Sequence, residues 1–471
     1  MHPPLKEYQR ENVEWIQRVG RGLLADEPGL GKSRSALEGF AGAGKVLIVA
    51  PSLVADSGVW HDEVERWGDD DTEYHLATYS MLNDRIDQRT PKQIEQGKPH
   101  RYKPINRLRK EWRGHWDAVI VDEAHCIKGR GVAWTKAVKQ LGRNSDQILL
   151  MTGTPIPNWA HEVFTLLQTI YPEEGKRGNE LGSFWRWAGE WFDTSPTRFS
   201  NGNPVVGDLL GCTPACMRRN ADDPCKHYVK FARENFGERY MRHLRDEHLD
   251  LPPLRFVDIP TPLDASTRAA YRELRDEFAA DVDGREVLAW SQGAKNVLLD
   301  KMTTSPWLLH KEGEPCGGKF ETLREDLSAR DEPTLVLAHY RDSVEGAARV
   351  AASVGKRAAF IHGGTSDKQN AKVVRDFKGG RLDVLVGSLE TLAEGLTLTI
   401  ADTAIFLERS YKPSRNTQAT YRIHRLGQEK ECTIRRYLTP KSVDSRKERL
   451  LTTKTDHQMR TLTAAEFARL A

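Results

Sequence analysis

The sequence predicts an α/β protein of two lobes, each a parallel sheet covered by helices, and three observations carry that prediction. Short apolar runs bounded by turn residues recur with helix-compatible stretches between them: KVLIVAP (45–51), DAVIVDE (117–123) and QILLMTGT (147–154). A second series follows much later, with TLVLAHY (334–340), RAAFIHG (357–363), LDVLVGS (382–388) and DTAIFLE (402–408). Runs that are apolar throughout, rather than alternating, belong to strands buried on both faces. The length of 471 residues exceeds what one core organises and fits two or three domains.

Composition narrows the class. With 38% apolar and 29% charged residues the chain reads as globular. No apolar run approaches the ~20 residues needed to span a bilayer, and MHPPLKEYQ has neither the basic nor the apolar part of a secretory signal. A cytoplasmic protein of a bacterial or phage-infected cell is the expectation. The formal charge of +3, from 70 Lys and Arg against 67 Asp and Glu, makes any nucleic-acid surface a local feature. Six cysteines in such a chain argue against a disulfide scaffold.

In chain order, the first strand-like run, GLLAD, leads into Gly29, Gly31 and Lys32 and then into the helix-capable SRSALEGF. Two glycines let the backbone wrap anionic oxygens, with a helix N-terminus behind them. Lys32 would meet the β and γ phosphates of a nucleotide and Ser33 would reach Mg²⁺. The pattern G-x-x-x-x-G-K-[ST] is nevertheless broken, because Asp26 fills the first glycine slot. About ninety residues later VIVDEAH ends a buried strand with two acids. Asp122 is the Mg²⁺ ligand of such a site and Glu123 the group that orients or deprotonates an attacking water. The alternative for both is a solvated pair at a strand end.

Residues 172–330 are poorer in strand signals. SFWRWAGEWF places Phe184, Trp187, Ala188 and Trp191 on one helical face, for core packing or for base stacking. DLPPLRF (250–256) breaks any helix and suits a crossing between lobes. Thr463 and Glu466 have capping-box spacing, which predicts a helix starting there and ending the chain. Cys212, Cys216, Cys225 and His227 offer four ligands, enough for a closed structural zinc site in a small insertion, although neither half is a plain C-x-x-C. The alternative is three reduced thiols in a loop. KPHRYKPINRLRKEWRGHW (98–116) holds seven Lys or Arg against one acid, interleaved with Tyr102, Trp112 and Trp116, and suits either a solvated loop or phosphate contact.

Several of these stretches together resemble a known family. Asp-Glu-Ala-His at 122–125, MTGTPIPN at 151–158 and QATYRIHRLGQ at 418–428 resemble motifs II, III and VI of superfamily two helicase-like ATPases. ADEPGLGKS resembles the phosphate loop of the Swi/Snf (sucrose non-fermenting) family, in which an aspartate stands in that glycine slot. PPLKEYQRENVEWI, VAPSLVADSGVWHDEVERW, ATYSML, VLVGSLETLAEGLTLTIAD, LPPL and SPWLL resemble its other landmarks in the right order. The compact form is similar to annealing-helicase and phage or bacterial members.

The resemblance implies two RecA-like lobes, at 1–171 and 331–471, with a mainly helical insertion at 172–262 holding the Cys/His cluster and an inter-lobe helical segment at 263–330. It implies ATP and Mg²⁺ as nucleotide and metal, and DNA as partner: duplex, fork or junction, read without sequence preference. Lys32, Asp122, Glu123, Arg422 and Arg425 would be catalytic, the two arginines meeting the leaving γ-phosphate. Gln9 would read adenine, and Gly29, Leu30, Gly31, Lys32, Ser33 and Gly395 would line the nucleotide. Ser52, Thr78, Gly363, Thr365 and Ser388 would contact the DNA backbone. One departure stands out: Leu392-Ala393 precedes Glu394-Gly395 where the family has two glycines. The same resemblance leaves an RNA-directed helicase, or a nucleotide-regulated DNA-binding module with low turnover, as the competing functions.

Overall fold

A computed structural model describes residues 3–56, 58–96, 100, 102–156, 158–171, 181–196, 204–217, 219, 223–392 and 396–470. The chain divides into two compact units, residues 1–248 with 455–471, and residues 249–454.

The first unit is organised by a six-stranded sheet, in the order Tyr240–Met241, Arg21–Leu24, Ser145–Met151, Trp116–Val121, Lys45–Ala50 and Glu73–Thr78. Every neighbouring pair is parallel. Burial explains why its central strands are apolar at each position. Leu47 and Val49 face one core cluster while Val46, Ile48 and Ala50 face another, and Val119 and Val121 alternate with Ala118 and Ile120 in the same way. The second unit repeats the plan with an all-parallel sheet in the order Leu254–Pro260, Cys432–Leu438, Thr403–Phe406, Thr334–Ala338, Val384–Ser388 and Ala358–Ile361. Leu335 and Leu337 enter one cluster there, Val336 and Ala338 the other. Two parallel sheets, each flanked by helices, together with a helical insertion and a Cys/His cluster, therefore match the predicted fold class.

The helix Phe184–Trp191 forms as its spacing predicts, and Phe184, Trp187 and Ala188 are buried, so its aromatic face is core. Trp187 donates to Asn235 Oδ1 at 2.7 Å and stacks obliquely on Phe164 and Phe192.

Several expectations are corrected. Part of the basic stretch is regular structure: Tyr102–Leu108 forms a largely exposed antiparallel hairpin with Asn83–Asp87, and Trp116, 5% exposed, is the first residue of a core strand. The described chain ends in a docked helix as expected, but that helix runs Val443–Leu470 without a break, so Thr463 caps nothing. The hydroxyls that would have capped or broken it, on Thr452, Thr453 and Thr461, each donate to the carbonyl four residues back. The compact units also differ from the domain bounds read in the sequence. Leu254–Pro260 pairs along its whole length with Cys432–Leu438 and so belongs to the second unit, while 455–471 belongs to the first. Among the described residues no helix is long and apolar enough to cross a membrane.

Candidate active site

The phosphate-type loop links the Arg21–Leu24 strand to the helix Lys32–Gly39. Gly29 and Gly31 have φ of 98° and 77°, a left-handed conformation that favours glycine, and Gly31 caps the helix. Lys32 Nζ reaches back to the carbonyls of Asp26 at 2.7 Å and Glu27 at 3.2 Å, so its ammonium is held at the mouth of the loop. Ser33 follows in the first helical turn, half-buried. Gln9, on the helix Glu7–Val19, donates to the Leu30 carbonyl at 3.3 Å, and a Cβ at Gly31 would come within 2.6 Å of Gln9 Nε2.

Asp26, which breaks the general pattern, is fully buried and saturated. Asn12 Nδ2 donates to one oxygen at 2.6 Å; the His243 amide donates to the other at 2.8 Å, with His243 Nδ1 at 2.9 Å from it. His243 Nε2 continues to Glu11 at 3.2 Å. Burial lowers the affinity of the His243 imidazole for a proton, but the hydrogen bond and charge of Asp26, and then those of Glu11, outweigh it and raise the pKa. Asp26 thus ties the loop to the first helix and to the segment after Tyr240–Met241. Glu27 adds a second tie, accepting from Arg242 Nη2 at 3.3 Å and from the Arg245 amide at 3.0 Å.

Asp122 and Glu123 follow the Trp116–Val121 strand. Asp122 accepts from Trp60 Nε1 at 3.1 Å and from the Glu123 amide at 2.8 Å, while Tyr79 donates to its carbonyl at 2.6 Å. Burial, then the charge of Glu123, push its pKa up to about 6, against the opposing pull of Trp60, the Glu123 amide and Lys32. Glu123 has φ 46°, a left-handed backbone that costs a non-glycine residue about 1–2 kcal/mol. Its carboxylate lies 3.1 Å from His125 Nδ1, which lies 3.1 Å from Thr152 Oγ1. The strand end at 122–125 is thereby connected to the next at 151–154. A Cβ on Gly153 would strike Pro28 at 2.8 Å, so that segment also abuts the phosphate-type loop. Lys32 lies near enough to Asp122 for its charge to act on that carboxylate, which also feels the charge of Glu123.

In the second unit the helix Pro413–Thr420 ends before the two arginines, which lie in turns. Arg422 is buried and donates to the Leu396 carbonyl at 3.1 Å, whereas Arg425 is only partly covered. Gln428 is a brace, donating to the carbonyls of Ala401 and Ile423 and accepting from the amides of Glu429 and Lys430. Gly395 lies outside the described residues, as do Ala393 and Glu394. Leu392 is buried and packs over Gly387, where a Cβ would collide with it.

The residues matched to DNA contacts differ in exposure. Ser52 and Gly363 are exposed, and Gly363 faces open space. Thr78 is buried and meets Ser80 Oγ at 2.9 Å; Ser388 is buried and donates to Thr391; Thr365 donates to the His362 carbonyl at 2.7 Å.

The Cys/His ligands converge. Cys212, Cys216, Cys225 and His227 each bring one ligand atom within 4.8 Å of the others. The Cys212 and Cys225 sulfurs are 3.6 Å apart, and His227 Nδ1 lies 3.5 Å from Cys225 Sγ and 3.9 Å from Cys216 Sγ. Tetrahedral bonds to zinc would separate two sulfurs by about 3.8 Å and sulfur from nitrogen by about 3.6 Å.

Sequence reasoning missed Asn12, Trp60, His243, Arg242 and Arg245. Trp60 sits within a stretch already matched to the family, but nothing in spacing marks His243, 217 residues from Asp26.

A model of the SNF2-related domain matches residues 8–229, and one of the helicase conserved C-terminal domain matches residues 318–427. The SWI/SNF chromatin-remodeling complex subunit snf22 of Schizosaccharomyces pombe is 24% identical over 93% of this chain and 27% of its own length. The ATP-dependent DNA helicase DDM1 of Arabidopsis thaliana is 25% identical over 94% of this chain and 60% of its own. The chain therefore spans only part of these relatives. The Sulfolobus solfataricus SWI2/SNF2 ATPase core, solved in complex with dsDNA, aligns over 100% of this chain and 95% of that one, with 17% identity and a TM-score of 0.40.

Proposed function

We propose, from the premise that the chain belongs to the SNF2-related family of superfamily two helicase-like ATPases, that it hydrolyses ATP to translocate on duplex, forked or branched DNA. The observation that carries the reading is the meeting of a left-handed glycine loop and Lys32 with an Asp-Glu pair at a parallel strand end.

The residues fit a metal-nucleotide substrate. Asp122 is held half-buried beside a second carboxylate, with its ionised form destabilised, and a divalent cation would relieve that crowding. Bound there through Asp122 and Ser33, Mg²⁺ would neutralise charge on the β and γ oxygens. Lys32 would exchange its two carbonyl partners for phosphate oxygens, a stronger, charge-assisted contact. Glu123 would orient the attacking water and take its proton, held in place by the left-handed backbone and by His125. The His125–Thr152 contact supports a route by which hydrolysis alters the 151–154 segment. Arg425, the more accessible arginine, is read as supplying charge to the departing phosphate, and Arg422 as positioning the turn that carries it. The four-ligand cluster is read as a closed, structural zinc site.

DNA contact would run through the backbone, at Ser52 and Gly363 on exposure and at Thr78, Thr365 and Ser388 by resemblance. Binding would then be sequence-indifferent and weaken steeply with salt. Steady-state ATPase rates without nucleic acid, then with single-stranded, duplex and forked DNA and with RNA, test the reading. Stimulation by duplex or forked DNA is expected. Stimulation by RNA alone would favour the RNA-directed reading, and no turnover under any condition would favour a binding module.

A further inference from the structure

The terminal helix segment is the feature that the function above does not use. Its residues 455–470 belong to the first unit, and they touch the Cys/His cluster at one end and the phosphate-loop brace at the other. At the cluster end, Arg460 Nη1 donates to the Cys216 carbonyl at 3.0 Å. His457 Nδ1 meets the Tyr228 hydroxyl at 2.9 Å, one residue beyond His227, and its Nε2 lies 3.6 Å from Asp208. His457, Arg460 and Ala464 share one helical face. Leu462, Ala464 and Ala465 are buried in the same cluster as Trp187, Phe231 and Cys225. One turn on, Glu466 accepts from Arg242 Nη1 at 2.6 Å, and Arg242 is the residue that also holds Glu27. The Glu27 carbonyl in turn accepts from Lys32 Nζ.

We propose that Cys212, Cys216, Cys225 and His227 hold a zinc-type divalent cation that seats the helix segment 455–466, and that this segment, through Glu466, Arg242 and Glu27, keeps the phosphate-type loop in shape for nucleotide. The inference rests on reading the cluster as a zinc site and residues 26–33 as the nucleotide loop. The physical reason is the thinness of the insertion's own core. Over 204–217 and 223–227 Leu209, Pro224 and Cys225 are the buried residues among those described, so apolar burial gives this piece little to fix the Cys216 carbonyl that Arg460 uses. Four metal bonds would fix it, and metal affinity then becomes local folding energy. Removing the metal would release Arg460 and His457 first, and Glu466 with them.

The test uses the 471-residue chain purified without chelator, with Cys216→Ser and Arg460→Ala variants. Zinc content, amide hydrogen exchange over 455–466 and over 26–33, and the nucleotide Kd are measured on each. About one zinc per chain is expected in the parent protein, and none in Cys216→Ser. In that variant exchange over 455–466 is expected to quicken about tenfold or more, and nucleotide to bind about three- to tenfold more weakly. Arg460→Ala, which removes no ligand, should keep its zinc and still show faster exchange over 455–466. Zinc near zero in the parent protein would overturn the metal site. Zinc present, with exchange over 455–466 unchanged in both variants, would overturn the coupling and leave the metal site standing. If the parent protein binds no ATP, the nucleotide reading fails by itself, and exchange over 26–33 still reports whether the metal reaches the loop.

Discussion

Two aspartates, one in each unit, show how differently the molecule treats interior charge. Asp300 in the second unit is fully buried, and its oxygens accept from Lys447 Nζ at 2.7 and 2.8 Å and from the Tyr340 hydroxyl at 2.7 Å. Lys319 and Asp444 form a similar buried pair at 2.7 Å. Asp122 in the first unit has donors too, but Glu123 stands beside it and burial pushes its pKa up to about 6. In the second unit, Asp300 and Asp444 are each neutralised by a buried lysine of the same unit. In the first unit, the Asp122–Glu123 pair stays crowded at a strand end, and the charge of Lys32 offsets that crowding only in part.

Breaking the functional side should have the largest effect. Glu123→Gln is expected to lower kcat about a thousandfold, roughly 4 kcal/mol of barrier, with little change in nucleotide affinity; single-turnover kinetics and equilibrium binding check this. Breaking the structural side should act on stability instead. Lys447→Ala strands Asp300 without its charge partner and should destabilise the protein by about 3–4 kcal/mol in denaturant unfolding.

The contrast sharpens with a substitution of opposite sign. Because Asp122 has a raised pKa, the folded state holds its proton longer than the unfolded one, so stability falls as pH rises from about 4 to about 6 and stays lower above that. Asp122→Asn should therefore stabilise metal-free protein at pH 7, by about 1–3 kcal/mol, while abolishing turnover. Added Mg²⁺ and nucleotide should stabilise the parent protein and not the variant. The smallest effect concerns His243, whose pKa is raised against burial by Asp26 and Glu11. Its contribution is complete below the ordinary histidine range and lost as pH rises through the raised folded value. His243→Gln should flatten that part of the stability–pH curve, as read from denaturant unfolding at a series of pH values.

The central strands were legible because burial on both faces demands uninterrupted apolar residues, as in KVLIVAP and DAVIVDE. Other strands were not, among them Glu73–Thr78 and Leu254–Pro260 at sheet edges and Cys432–Leu438 beside the latter. Glu73–Thr78 and Leu254–Pro260 are partly exposed, and Cys432–Leu438 carries Arg435 and Arg436, which pair with Asp326 and Asp258. Lys32, Asp122 and Glu123 were legible because a loop, a helix start and a strand end place them within contiguous motifs. Thr463 and Glu466 misled for the converse reason: a local cap signal is silent when the helix already extends through it.

The sequence alone determined the α/β class, the two sheets and the residues presented at their strand ends, since those depend on neighbours a few positions away. Only the tertiary structure decided which groups hold Asp26, that Trp116 is core, that Arg422 is buried and donates to the Leu396 carbonyl, and that Glu466 holds Arg242. Those roles are set by partners 14 to 224 residues away or by packing, and no local pattern encodes which distant side chain a folded core will bring into contact.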